Sequence, residues 1–113
     1  MRESKIYLRD ILNAMISIES FVGKVDFDQF KEDDKTTSAV IRKLEIIGEA
    51  AKNIPQNITQ KYSTVPWKEM AGMRDKLIHF YFGVNLKLIW QTVKHRIPQV
   101  KPIIKELLDE IDD

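Results

Sequence analysis

Residues 39–55, AVIRKLEIIGEAAKNIP, decide the fold class of this chain. Val40, Ile41, Leu44, Ile47, Ala51 and Ile54 recur at three- and four-residue intervals, the spacing that gathers apolar side chains on one face of an α-helix. The pattern predicts a helix from about Thr36 to Asn53, stopped by Pro55, which has no N–H to give to a helical ladder. Gly48 falls inside it. Glycine is a poor helix former, so its place here points to close packing by a neighbouring helix.

The same period runs outward in both directions. Leu8, Ile11, Leu12, Met15, Ile18 and Val22 predict an amphipathic helix from about Lys5 to Val22, ending at Gly23. Phe27 and Phe30 are spaced for one turn of packing. After Pro55 comes a polar connection with one helical turn around Thr59 to Tyr62. Val65 is biased toward extended backbone by the proline after it, and Pro66 suits the first position of a third long helix. That helix carries Trp67, Met70, Ala71, Arg74, Leu77, Ile78 and Tyr81 along one side and closes before Gly83. Asn85 is an N-cap for a fourth helix bearing Leu86, Ile89, Trp90, Val93 and Ile97. Pro98 and Pro102 predict a kink or break near Arg96, then a last segment through Ile104, Leu107, Leu108 and Ile111. No segment alternates like a strand. The expectation is an all-α, single-domain, up-and-down helical bundle over residues 1–113.

Composition narrows the function classes. A chain of 113 residues has room for one hydrophobic core, and 43% apolar with 31% charged residues is the balance of a globular protein. Cysteine is absent, which excludes disulfides, thiolate metal sites and a cysteine nucleophile. With only two histidines a zinc site is not expected, and no phosphate-cradling glycine loop appears. No apolar run reaches the ~20 residues of a membrane span, and the start MRESKIYLRD has no signal-peptide core. A cytoplasmic protein with no membrane association is expected. The net charge of +1 gives no overall pull toward nucleic acid. Between Leu86 and Lys105, however, Lys87, Lys94, Arg96, Lys101 and Lys105 stand without an acid. That stretch is either a phosphate-attracting face or an ordinary solvated one.

The candidate site is RDKLIHFY, residues 74–81, in which Arg74, His79 and Tyr81 follow the pattern R-x-x-x-x-H-x-Y. A permanent cation, a group titrating near neutrality and a phenol are a usable kit for a phosphodiester. At ~100° per residue Arg74 and Tyr81 nearly superpose on one helix face, while His79 lies roughly 140° around from Arg74. Asp75, four residues before His79, neighbours it on an adjacent face, where a carboxylate can orient an imidazole and raise its pKa. Arg74 and His79 do not converge within one helix, so a compact site is more easily built where two copies meet across a dimer axis. Each residue also has a plainer reading. His79 can cap a helix end, Arg74 can pair with an acid on another helix, and Tyr81 can be a core aromatic. Trp67 and Trp90 read as core anchors rather than base-stacking platforms, and His95 as a surface residue rather than a ligand.

The segments AVIRKLEIIGEAAKNIP and VPWKEMAGMRDKLIHFYFGVN (residues 65–85), with YLRDIL (7–12) and WQTV (90–93), resemble the HepT family of the HEPN superfamily in the expected order over nearly the whole chain. The family signature R-x-x-x-x-H-x-Y falls on Arg74, His79 and Tyr81 without a gap, and Asp75 supplies the usual polar residue after the arginine. The resemblance implies a HEPN-like all-α homodimer that acts as a ribonuclease toxin, needing neither metal nor cofactor. By resemblance, His79 is the general acid or base that helps a ribose 2′-hydroxyl attack the adjacent phosphate, leaving a cyclic phosphate. Arg74 holds that phosphate. The implied partners are RNA as substrate and an MNT-type nucleotidyltransferase antitoxin that silences the toxin by transferring AMP onto Tyr81. The alternative is a non-catalytic nucleotide-binding or scaffold partner of such a transferase.

Overall fold

The computed structural model describes residues 2–79 and 85–111, with side chains for 4–75 and 85–111. Every element among them is helical: α1 (Arg2–Val22), α2 (Phe27–Glu32), α3 (Asp34–Lys52), α4 (Gln56–Lys61), α5 (Trp67–His79), α6 (Leu86–Gln91), a π-helical turn (Thr92–Arg96) and α7 (Ile97–Glu110). Helix α3, carrying the stretch that decided the fold, packs against both α1 and α5, while α7 also packs against α1. Leu8, Ile11, Ile18, Val40, Phe30, Ile104 and Leu107 meet in one shared core, each almost wholly removed from water. No described helix is long and apolar enough to cross a membrane.

Local chemistry fixes the ends. Gly23 stops α1 at φ +55°, a left-handed conformation that costs glycine nothing. Asp26 and Gln29 cap α2 reciprocally, each side chain taking the other's backbone N–H. Asp33 then starts α3, accepting from the Thr36 N–H and hydroxyl, and these hydrogen bonds hold its carboxyl below the usual value. Asn85 caps α6 as expected, taking the Leu88 N–H at 3.1 Å.

Two details differ from the sequence reading. Helix α4 begins directly after Pro55, not at Thr59, because the Pro55 carbonyl accepts from the N–H groups of Ile58 and Thr59. The kink or break expected near Arg96 takes the form of a π-helical turn at Thr92–Arg96, not of a chain break. The Ile97 N–H reaches back to the Thr92 carbonyl, and that π-turn carries the helix into α7 with Pro98 in its first turn.

Three of the five cations in the basic stretch make contacts within the molecule. Arg96 donates to Glu69 on α5, which raises its pKa, Lys101 meets Glu19 of α1 at 2.6 Å, and Lys94 lies over the Trp90 ring. Trp90 itself packs on Phe27 and Phe30, and the Trp67 indole N–H donates to the Tyr62 carbonyl. Both tryptophans are thus anchors of the fold, while His95 is exposed.

Candidate functional site

Arg74 is positioned from below by a glycine. A Cβ placed on Gly48 would stand 2.7 Å from the Arg74 Cβ, 3.0 Å from the Met70 carbonyl oxygen and 3.1 Å from the Arg74 nitrogen. Only a hydrogen fits there, so α3 and α5 approach closely at the arginine itself. The close approach inferred from Gly48 in the sequence is therefore real, and its partner is the candidate site.

From that anchored Cβ the guanidinium runs outward, and the side chain as a whole remains about a third exposed. Its Nε lies 2.9 Å from Oε2 of Glu49, on α3 immediately after Gly48. Its Nη1 lies 3.6 Å from Oδ1 of Asp75, which in turn receives Lys52 Nζ at 3.0 Å. Glu49 and Lys52 of α3 thus interleave with Arg74 and Asp75 of α5 across the helix pair. Asp75 is drawn to Lys52 and Arg74. His79 is the last described residue of α5, its side chain falls outside those described, and Tyr81 lies outside the described residues altogether.

Arg74 also borders a pocket of about 270 Å³ between α1, α3 and α5. Tyr7 and Asp10 of α1 face Arg42, Glu45 and Glu49 of α3 and its C-cap Asn53 around it, with Ile46 and Ala50 as apolar lining. The arrangement can place an anion on Arg74 beside a recess of mixed polarity. Among the described residues no group of three or more His, Asp or Glu converges on a metal position.

Glu49, Lys52 and Arg42 were not picked out from the sequence. The available signal was GEAAK: charged residues one and four places after Gly48 share the side of α3 that meets α5. The plainer reading of Arg74, an ion pair with an acid on another helix, is also realised, and Glu49 is that acid.

A family model for HepT-like ribonucleases matches residues 11–107, which takes in α3, α5 and the whole of this charge cluster. The chain belongs to the HepT-like ribonuclease family. This HepT-like chain is 51% identical over 106 residues to a Thermococcus cleftensis protein named "Probable ribonuclease HepT", covering 94% of the chain and 96% of that protein. Over 111 residues it is 46% identical to a candidate RNase of Methanocaldococcus jannaschii, covering 98% and 92% of the two. A candidate RNase of Caldanaerobacter subterraneus is 46% identical over 110 residues, covering 97% and 98%. No solved structure matches the chain.

Proposed function

We propose that this protein is a metal-independent endoribonuclease, the toxin of a type VII-like toxin–antitoxin pair, acting in the cytoplasm as a homodimer. The observation that carries the reading is Arg74. An arginine anchored at a helix crossing, with its guanidinium still open to solvent beside a pocket, is suited to hold a phosphate and to stabilise charge developing on it. Membership of a ribonuclease family supports RNA as the bearer of that phosphate.

In this mechanism the 2′-hydroxyl of the substrate attacks the adjacent phosphorus, the bond to the 5′-oxygen breaks, and a cyclic phosphate and a free 5′-hydroxyl result. His79 takes the 2′ proton or delivers one to the leaving oxygen, with Asp75 in support. His79 sits roughly 140° around α5 from Arg74, so the cleft is completed by pairing the helices of two subunits. Tyr81 is the switch. A nucleotidyltransferase antitoxin of the MNT type places AMP on its phenol, and the added phosphate neutralises Arg74 and fills the cleft.

The test is incubation of purified protein with RNA in excess chelator. Cleavage is expected from wild type and is lost in Arg74→Ala and in His79→Ala while the folded dimer persists. RNA left intact by the wild type favours instead a non-catalytic nucleotide-binding partner of the transferase, a role for which the pocket beside Arg74 is also suited. For the switch, co-expression with the transferase should add the mass of an AMP group, absent in Tyr81→Phe.

A further inference from the structure

We infer that Glu49 is a positioning residue for the same site: it fixes the plane and direction of the Arg74 guanidinium, so that the outer edge of that group faces the scissile phosphate. The inference rests on the ribonuclease reading above and deepens it.

Stability does not account for this contact. The Glu49 side chain is 57% exposed and that of Arg74 36%. Ion pairs so open to water contribute between nothing and about 1 kcal/mol. Placement accounts for it better. Gly48 pins the Arg74 Cβ, but the long chain beyond Cβ would otherwise sweep through many rotamers. Glu49 follows Gly48 on α3 and meets Arg74 at Nε, the inner nitrogen. With Nε held there and Asp75 only 3.6 Å from Nη1, the guanidinium has two flanking carboxylates. Most of its N–H donors stay available to a phosphate.

Lys52 matters to the balance. It takes Asp75 at 3.0 Å, so Asp75 is shared with another cation, and Glu49 is left as the carboxylate nearest the arginine. A carboxylate at that distance also repels an incoming phosphate. Glu49 therefore weakens RNA binding while it aligns the group that acts on the bound RNA, and these two effects have opposite signs when it is removed.

That opposition is the test. Single-turnover cleavage rates are measured for wild type, Glu49→Ala, Glu49→Gln and Arg74→Ala, together with affinity for a 2′-deoxy analogue that cannot react. Circular dichroism confirms that each variant is folded. Glu49→Ala should cleave roughly 10- to 100-fold more slowly, the scale of loss from a misplaced reacting group. Its affinity for the analogue should be equal to or tighter than that of wild type. Glu49→Gln keeps an oxygen acceptor at the same place and should recover most of the rate, to within about fivefold, since a neutral acceptor is roughly half as strong as a charged one. A merely structural role would move neither the rate nor the affinity in a folded variant. Wild-type rates in a folded Glu49→Ala protein overturn the assignment, as does a fall in affinity that matches the fall in rate. In both cases, inactivity of Arg74→Ala shows that the ribonuclease reading stands. A wild type that cuts no RNA overturns that reading and this role with it.

Discussion

Gly48→Ala tests the geometry on which the site rests. The added methyl would meet the Arg74 Cβ at 2.7 Å and the Met70 carbonyl oxygen at 3.0 Å. Carbon atoms in ordinary contact stand about 3.5–4.0 Å apart, so the two helices must separate by about 1 Å. None of the atoms met is the loose end of a side chain. Overpacking of this kind costs about 2–3 kcal/mol, and alanine's better helix propensity returns nearly 1 kcal/mol. The net loss is ~1–2 kcal/mol, or roughly 4–12 °C in melting temperature for a domain of this size. Gly72 provides the internal control. It lies on α5, and a Cβ there would meet nothing within 4 Å. Gly72→Ala therefore gains about 0.5–1 kcal/mol from propensity alone and should melt a few degrees higher. Thermal unfolding followed by circular dichroism reads both variants in one experiment. A Gly48→Ala protein as stable as wild type, or two glycine variants shifting in the same direction, would refute the close crossing of α3 and α5. Because the displaced residue is Arg74, Gly48→Ala should also slow RNA cleavage beyond what its folded fraction explains.

Other consequences can be checked independently. Asp33→Ala should lower the melting temperature at neutral pH. The Asp33 carboxyl is held below its usual value of 3.8 by the Thr36 hydroxyl and backbone N–H, so its contribution is present above that value and is lost as pH falls through the lower folded one. The gap between variant and wild type should close in acid, and a gap independent of pH would contradict the cap. Trp90→Ala should cost ~3 kcal/mol in urea unfolding through lost packing on Phe27 and Phe30, with RNA affinity per folded molecule unchanged. A stable variant with weakened RNA binding would instead make Trp90 a stacking platform. Arg74→Ala should shift stability by less than about 1 kcal/mol, because its ion pairs are open to water, while abolishing cleavage. A large loss of stability would favour a structural arginine.

What the sequence made legible follows from the range of the forces involved. The apolar rows of α1 and α3, the Gly23 stop and the Asn85 cap depend on residues within a turn or so of each other, and they were readable. Gly48 advertised a close approach because a helix tolerates glycine poorly unless something needs the space. Helix α4 was misplaced because Ile58 is its only large apolar residue, which leaves no period to read. Pro98 announced a missing donor but not how the backbone would absorb it; the π-turn is one of several answers, and it leaves Val93 and Ile97 both buried in the core. Charge pairing was least legible. Lys101 finds Glu19 from 82 residues away and Arg96 finds Glu69 from 27, so a stretch that reads equally as phosphate-attracting or as solvated is partly neutralised by acids distant in sequence. For the same reason the motif arginine was visible and its carboxylate partner was not. Several acids were available, and only the crossing of α3 with α5 selects Glu49.

The account's central claim is that Arg74 serves the cleavage of RNA by its own 2′-hydroxyl. The most direct measurement uses an RNA with a single cleavage position and its twin bearing one 2′-deoxy sugar there, each incubated without metal with wild type and with Arg74→Ala. The account predicts that wild type cuts the RNA alone, leaving a cyclic phosphate, and that Arg74→Ala cuts neither. Cleavage of the 2′-deoxy twin at the same position, or undiminished cleavage by Arg74→Ala, would contradict it.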